Sequence, residues 1–442
     1  MGIYADLQEQ AKDDPDGVVH ACAGLLDKNR DDALALMLMG QIYAEAEKFG
    51  MCYLVFKRVT ELRPDKAEGW NNLGMSCEGM KDHNESMRHF RRAWSIDKKA
   101  TYASNIGNAY LSRQEYATAV EWANRALGLD PDCQSAKAVL GLSSLALGQW
   151  ATGWDNYEST LGGKFRKEIQ FQNEGRWDGS PGKTLVVYGE QGLGDEVMYA
   201  SCVPDIKDCR VILECDKRLE GLFCRSFPGV EVHGTRREPA PWLEGVRVDA
   251  RCSIATLPKF YRRSSADFPG TPYLMADPDR VLQWKALFAS WGKKPTIGIC
   301  WTGGSKHNKP GARAIGLEAF RPLIESVDAH WISLQYKDPS AEIEAAGLPV
   351  KHFKRAAESQ DYDDTAGLVG ALDMVIGVHT SVHHLAGAMG VPGVILVPDQ
   401  TLWLYENAFP WYRSARLFRK TKTESWKQTI ERLARDPVIR GI

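Results

Sequence analysis

A glycine-rich turn ending in an aspartate is the first place where this sequence could do chemistry. It follows the apolar run TLVVYG at 184–189, which is typical of a buried strand, and leads into a predicted helix. Gly192 and Gly194 permit a tight turn and a close approach of the backbone to a ligand. Asp195 falls at the helix start, where its carboxylate could accept a proton as a general base or simply cap the helix. The spacing alone leaves both roles open.

A polar loop after the predicted strand TIGICW at 296–301 could bind phosphate. It carries one hydroxyl and several basic groups, namely Thr302, Lys306, His307 and Arg313. Ammonium and guanidinium groups in one loop at a strand end can hold phosphate oxygens. An ordinary solvated basic loop has the same composition, so this interpretation also has an open alternative.

A third motif, LDMVIGVHTSVHHLAGAMG, predicts a strand ending at Val378 and a helix starting at Thr380 and Ser381. The free N–H groups and the dipole at such a helix start attract anions, and a diphosphate would fit there. His379 and His383 are four residues apart and could share a metal ion. The motif has no H-E-x-x-H glutamate and no evident third ligand, so we expect packing roles and no metal.

Alternating strands and helices carry these three loops. Six short apolar runs follow residue 163, at 184–189, 210–214, 296–301, 331–335, 373–378 and 393–398, with helical segments between them. Such alternation predicts parallel sheets with crossover helices. A helical and then Gly/Lys-rich stretch at 277–294 places a boundary near residue 293. We therefore expect two Rossmann-like lobes, over 164–292 and 293–442.

The first part of the chain contains an internal repeat. Glycines recur at Gly40, Gly74, Gly107 and Gly141, spaced 34, 33 and 34 residues apart, and large and small residues alternate in the columns that follow them. This period is typical of tetratricopeptide repeats, in which each unit is a pair of helices. We predict a helical array over residues 1–163, with a degenerate capping hairpin at 4–28.

Composition excludes several function classes. A formal net charge of −2 gives no global cationic field for non-specific nucleic-acid binding. No run reaches the about 18 apolar residues needed to span a membrane, and the first residues do not form a secretion signal. The ten cysteines lack zinc-like spacing and suit buried thiols in a reducing compartment. We expect a soluble cytoplasmic protein.

Together, the three motifs and the repeats resemble the bacterial tetratricopeptide-repeat glycosyltransferases, whose catalytic half is similar to the lipopolysaccharide heptosyltransferases. Those proteins carry E-Q-G-L-G-D, W-S-G-x-x-x-H with a downstream R-S-I, and V-D-T-S-x-x-H-L-A-G. The corresponding residues here are Glu190–Asp195, Trp301–Gly303 with His307 and 313–315, and Val378–Ser381 with 384–387. The segment at 148–161 is similar to the one that closes the repeats in these relatives.

This resemblance implies a GT-B fold, with an acceptor lobe and a donor lobe on either side of a cleft. It implies that Asp195 is the general base of an inverting sugar transfer, and that no metal or other cofactor is needed. The donor, a nucleotide diphosphate sugar, would contact a larger set of residues: Gly194, Thr302, Lys306, Arg313, Gln335, His379, Thr380, Ser381 and His384. Within that set the resemblance assigns Gln335 to the nucleoside. It assigns the leaving diphosphate to Thr302, Lys306 and Arg313, assisted by the N–H groups of Thr380 and Ser381.

The third motif departs from the family pattern, because His379 stands where the family has aspartate. The O-linked N-acetylglucosamine transferases, which are also tetratricopeptide fusions, have G-H-T-T-G at this loop, and 377–381 here is similar with one residue inserted. A UDP-sugar is therefore the favoured donor. The alternative is a scaffold whose glycosyltransferase-like half has lost catalysis and only binds a ligand or partner.

The sequence leaves the acceptor open. Helical-repeat arrays suit extended peptides, which favours a protein acceptor. The array could equally hold a partner or form a homodimer, and nucleic-acid or glycan acceptors are not excluded.

Overall fold

A computed structural model describes residues 2–163, 166–236, 240–303, 314–358, 361–398 and 409–441. Contacts divide the chain into two compact units, one up to Leu147 and one from Gly148 onward. None of the helices in the described residues is long and apolar enough to cross a membrane.

The first unit consists of consecutive helices that pack in sequential pairs. Asp side chains accept hydrogen bonds from the first turns of three of these helices, at Asp14, Asp32 and Asp82, and so fix where they begin. The helices are α1 (Gly2–Gln10), α2 (Pro15–Lys28), α3 (Ala33–Glu45), α4 (Phe49–Leu62), α5 (Ala67–Gly79), α6 (His83–Ile96), α7 (Ala100–Ser112), α8 (Tyr116–Leu129) and α9 (Gln134–Ala146). The predicted helical array and its first hairpin are confirmed.

The repeated glycines lie where two helices of a pair come closest. A Cβ atom on Gly40 would stand 2.4 Å from the ring of Phe56, and one on Gly74 would stand 2.7 Å from the ring of Phe90. Both phenylalanines lie sixteen residues after their glycine and are buried. At Gly40 and Gly74, the missing side chain on the first helix of a pair makes room for an aromatic ring on the second, whereas a Cβ on Gly107 would lie 3.2 Å from the Val139 Cγ1.

The second unit begins with α10 (Trp150–Tyr157), which the sequence placed at the end of the repeats. Its first half then forms an all-parallel sheet in the order β1-β5-β2-β3-β4. The elements are β1 (Gly175–Arg176), β2 (Thr184–Tyr188), α11 (Leu193–Tyr199), β3 (Arg210–Glu214), α12 (Glu220–Ser226), β4 (Glu231–His233), β5 (Ala250–Ser253) and α13 (Pro258–Tyr261).

The second half of this unit forms a six-stranded parallel sheet in the order β11-β10-β9-β6-β7-β8. Its strands are β6 (Thr296–Cys300), β7 (His330–Ser333), β8 (Val350–His352), β9 (Met374–Val378), β10 (Gly393–Val397) and β11 (Ala415–Arg419). Its helices are α14 (Pro278–Ala289), α15 (Arg321–Ser326), α16 (Ser340–Ala346), α17 (Lys354–Ala357), α18 (Tyr362–Gly370), α19 (Ser381–Ala388), α20 (Trp426–Ala434) and α21 (Pro437–Arg440).

All six predicted apolar runs are strands, and the central ones are buried along their whole length. The fold class is therefore confirmed as a tetratricopeptide helical array followed by an α/β module with two parallel sheets. The predicted boundary near residue 293 lies between the last strand of the first sheet and the first strand of the second. The exact domain limits at 163 and 292 stay predictions.

We predict that Gly74→Ala destabilises the repeat unit by about 1–3 kcal/mol, because the new methyl group would overpack the Phe90 ring and the Ser86 carbonyl. Urea unfolding followed by circular dichroism measures the change. Gly128→Ala in α8 is the matched control, since a Cβ there meets nothing within 4 Å. The control should be neutral or more stable by about 0.4–1 kcal/mol. Equal effects of the two substitutions would contradict the steric fit.

Candidate functional site

The predicted site residues follow strands of the two parallel sheets at their carboxyl ends. The loop 189–192 follows β2, and the segments that begin at Trp301, Leu334 and His379 follow β6, β7 and β9. The last three strands are neighbours in the second sheet, so their loops emerge side by side. This edge is where open α/β sheets bind ligands.

Helices α11 and α19, one from each lobe, meet at their N-terminal turns. A Cβ atom on Gly194 would lie 3.1 Å from the Ser381 Cα and 3.0 Å from the His384 Cδ2. No larger side chain fits between them without a shift. Asp195 is the next residue of α11, so the candidate base directly follows the residue that contacts the α19 N-terminus.

Asp195 is half-buried, and its Oδ2 accepts a hydrogen bond from the Gly192 N–H at 3.0 Å. The capping role that the sequence left open is therefore present. The same bond fixes the direction of the carboxylate within the turn. A carboxylate that accepts one capping hydrogen bond still has further lone pairs. The Asp195 carboxylate could therefore also accept a proton.

The turn between β9 and α19 is built tightly around Thr380. This residue has extended backbone angles, φ −142° and ψ 174°, and α19 begins directly after it. A Cβ atom on Gly303 would lie 2.5 Å from the Thr380 Cγ2. The segment after β6 therefore passes against the start of α19, as a shared anion site would require.

Gln335 holds the backbone of Thr302. With its amide oriented to satisfy both groups, its nitrogen donates to the Thr302 carbonyl at 3.0 Å and its oxygen accepts from the Thr302 N–H at 3.2 Å. Thr302 also forms an antiparallel bridge with Ala314. Both ends of the basic loop are thus fixed, while Lys306, His307 and Arg313 lie outside the described residues.

His379 and His384 form an aromatic cluster beside this turn. Their rings lie 4.4 Å apart, edge to face, and each ring centroid lies 6.0 Å from that of Phe409. The Nδ1 of His384 lies 3.1 Å from the Tyr412 hydroxyl. His384 is 2% exposed, so its evident role is packing between the lobes. Donor contact by either histidine stays a prediction.

His383 points away from this cluster into the core. Its Nδ1 lies 3.6 Å from the Sγ of Cys300 at the end of β6. Burial lowers the pKa of His383 to about 4 and raises the pKa of the Cys300 thiol to about 12, so both groups are neutral at physiological pH. The packing role expected for His383 agrees with this placement.

The described residues contain one group that could hold a metal ion, and it is elsewhere in the second lobe. Ligand atoms of Asp338, His352 and Glu358 lie within 4.8 Å of one another. The Nε2 of His352 is 2.9 Å from a Glu358 oxygen, which is an ordinary hydrogen-bonded pair. The expectation that the reaction needs no metal stays a prediction.

A buried ion pair that the sequence did not indicate lies next to the loop 189–192. Arg166 is 1% exposed, and its Nε lies 3.0 Å from an oxygen of Glu190, whose side chain is fully buried. Glu190 was part of a recognised motif, but Arg166 lies in a polar stretch that shows no periodicity.

A second buried carboxyl group lies at the end of β3, next to the same loop. Glu214 is 3% exposed and accepts one long hydrogen bond, 3.4 Å, from Thr235. Its carbonyl accepts from the Gly189 N–H at 3.0 Å. Burial raises the pKa of Glu214 to about 7, because the charged form loses hydration and gains little in return.

Known proteins resemble this chain over most of its length. It is 31% identical over 415 residues to Protein FlbA of Caulobacter vibrioides, with 86% of this chain and 68% of that protein covered. The chain belongs to the FlbA family. The tetratricopeptide-repeat family model matches this FlbA-family chain at residues 67–99 and 100–133.

Two solved structures show partial likeness to this FlbA-family chain. MamA is 19% identical, with a TM-score of 0.32, and covers 36% of this chain and 92% of its own. The ADP-heptose lipopolysaccharide heptosyltransferase II of E. coli is 15% identical, with a TM-score of 0.41, and covers 58% and 96%. The name FlbA states no reaction, so family membership assigns no substrate.

The raised pKa of Glu214 predicts a specific pH dependence of stability. The folded chain binds this proton more tightly than the unfolded chain, so the Glu214 contribution to stability falls as pH rises from about 4.5 to about 7. Glutamine has no proton to lose, so Glu214→Gln removes this fall in stability with rising pH. The variant should be more stable than wild type by about 1–3 kcal/mol at pH 8. Urea unfolding at pH 5 and pH 8, followed by tryptophan fluorescence, measures it.

Glu231→Gln, in the neighbouring strand β4, is the control. Hydrogen bonds from His233 and Arg210 lower the pKa of Glu231, so its stabilising effect exists above its unfolded pKa and is lost on acidification. This variant should therefore gain no stability at pH 8. If Glu214→Gln changed the free energy of unfolding equally at pH 5 and pH 8, the raised pKa of Glu214 would be contradicted.

Proposed function

We propose that this FlbA-family chain is an inverting, metal-independent glycosyltransferase that moves a sugar from a nucleotide diphosphate sugar to an acceptor hydroxyl. One observation carries the proposal. The turn bearing Asp195 and the N-terminus of α19 come from different lobes, yet a Cβ on Gly194 would lie 3.1 Å from the Ser381 Cα. A candidate base and a candidate diphosphate site are thereby neighbours.

The donor side is suited to the leaving diphosphate. The N–H groups of Thr380 and Ser381 lie at the start of α19, where the helix dipole favours negative charge. Thr302 is held against this turn by Gln335, and the loop that follows carries Lys306 and Arg313. We propose that these cations stabilise the charge of the departing diphosphate in the place of a metal ion.

The proposed reaction uses these groups as follows. The acceptor hydroxyl oxygen attacks the anomeric carbon, its proton passes to the Asp195 carboxylate, and the bond from the anomeric carbon to the diphosphate oxygen breaks. Attack opposite the leaving group inverts the anomeric carbon. The likeness of 377–381 to the G-H-T-T-G loop supports UDP as the nucleotide.

The repeats and the cysteines support the remaining parts of the proposal. Helical repeats offer an extended surface for peptides, so we propose a protein acceptor bound through residues 2–147. All ten cysteines are free thiols, which supports a cytoplasmic location.

The first experiment identifies donor and acceptor together. The full chain is incubated with a pooled set of nucleotide sugars and candidate protein acceptors, and the products are analysed by mass spectrometry. The mass added reports the sugar, and the modified species reports the acceptor. Calorimetry that detects binding of none of the nucleotides or nucleotide sugars would instead support the inactive scaffold.

Asp195→Asn is expected to lower transfer by about 10²–10⁴-fold while the Kd of the donor, measured by calorimetry, is unchanged. An asparagine oxygen can still accept from the Gly192 N–H, so the helix cap survives and only the base is lost. Asp267→Asn is the matched control, because Asp267 caps a short helical turn through the Ser264 N–H in the same way. Equal turnover by both variants would remove Asp195 from the mechanism.

A further inference from the structure

The guanidinium of Arg166 is saturated with hydrogen bonds inside the first lobe. It has five N–H donors, and five contacts receive them. They are Glu190 Oε1 at 3.0 Å, the Tyr157 carbonyl at 3.1 Å, Thr160 Oγ1 at 3.2 Å, Ser253 Oγ at 2.9 Å and Thr256 Oγ1 at 3.1 Å. The ring of Tyr157 also covers the guanidinium at 4.4 Å. These contacts together fix the position of the Arg166 side chain.

This saturated group fixes the start of the Asp195 loop. Glu190 Oε1 accepts from both Arg166 and the Ser253 hydroxyl, which lies 2.5 Å away. One residue earlier, the Gly189 N–H is bonded to β3, and two residues later the Gly192 N–H is bonded to Asp195 itself. Hydrogen bonds thus fix the loop at both ends, Gly189 and Gly192, and at the buried side chain of Glu190.

Stability alone does not account for such an ion pair. Desolvating two charges costs about as much as their attraction returns, and apolar residues of similar volume often stabilise a core equally well. Arg166 also comes from outside the first sheet, in the segment between α10 and β1, and it reaches residues of both β5 and the β2 loop. The Arg166 guanidinium, with five directional hydrogen bonds, is suited to fixing the position of the Glu190 side chain.

We propose that Arg166 is a positioning residue for sugar transfer, which holds Glu190 and thereby fixes the loop that leads to Asp195. This inference rests on the proposed function. The side chain of Glu190 is fully buried, so its effect passes through the loop. The segment after the repeats is accordingly part of the catalytic apparatus.

Arg166→Lys tests the proposal in the full chain. Lysine keeps the positive charge but has three donors on one nitrogen, so it cannot reach all five acceptors. We expect kcat to fall at least tenfold while the Kd of the nucleotide sugar changes less than twofold. An unchanged kcat in the folded variant, or a donor Kd weakened as much as kcat, would overturn the role.

Arg262→Lys is the matched control. Arg262 is 3% exposed, donates to the Ser201 carbonyl at 2.9 Å and pairs with Asp205 at 2.8 Å, and none of these partners is in the Asp195 loop. The control should lose thermal stability and keep its kcat. A loss of kcat equal to that of Arg166→Lys would reduce the Arg166 effect to general destabilisation.

Hydrogen exchange read by mass spectrometry separates this proposal from the proposed function. In Arg166→Lys, amides of 189–195 should exchange at least tenfold faster, while those of β2 stay protected. Unchanged loop exchange would overturn the proposal even if the wild type transfers sugar. If the wild type transfers no sugar, the proposed function fails, and faster loop exchange still supports the contact between Arg166 and the loop.

A double variant covers the case in which Arg166→Lys does not fold. Arg166→Met with Glu190→Gln removes both charges together and leaves no buried ion unpaired. We expect this chain to fold with a thermal midpoint near that of wild type and a kcat at least tenfold lower. A wild-type kcat in the double variant would show that the loop needs no arginine and would overturn the proposal.

Discussion

The contact between α11 and α19 at Gly194 is the constraint on which the rest of the second unit depends. Two helix starts from different sheets can approach this closely only where one of them has no side chain. Tyr273 bonds to both helices. Its hydroxyl donates to the Val197 carbonyl in α11, and its backbone N–H donates to the Ala388 carbonyl in α19. One residue of the segment between the lobes therefore ties together the two helices that carry the candidate site.

A second connection between the lobes joins α12 and α18. Arg225 of α12 forms a hydrogen-bonded ion pair with Asp363 of α18, and its Nε donates to the Met275 carbonyl at 2.8 Å. The side chains of Arg225 and Asp363 are 23% and 12% exposed, so solvent screens the pair only in part. Together with Tyr273, this pair links the two lobes through residues outside the predicted site.

Buried parallel strands could be predicted from the sequence because they are runs of β-branched and aliphatic residues. The strands β2, β3, β6, β7, β9 and β10 were found this way. Those missed, β1, β4, β5, β8 and β11, are short or rich in charge, and four of the five are sheet edges. An edge strand such as β11, with the sequence ARLFR, owes its structure to pairing with β10 and shows no local pattern of its own.

The candidate site was predictable only as far as local motifs reach. Glycine and aspartate at a strand end predict a loop such as 189–192. Two hydroxyl residues after a strand, Thr380 and Ser381, predict a helix start such as that of α19. Arg166 has no such signal, because its five acceptors are scattered from Tyr157 to Thr256 and meet only in the folded chain. The pairing of Gln335 with the Thr302 backbone is invisible for the same reason.

The departure at His379 has a physical explanation in the packing. The residue is 8% exposed, and its ring lies against the rings of His384 and Phe409. A carboxylate at that place would have to be desolvated among aromatic rings, which is costly without a charged partner. The proposed anion site at α19 would use backbone N–H groups, which do not depend on the side chain that precedes them. Under the proposed function, the exchange of aspartate for histidine would therefore change the surroundings of the donor sugar and leave the diphosphate contacts of the backbone unchanged.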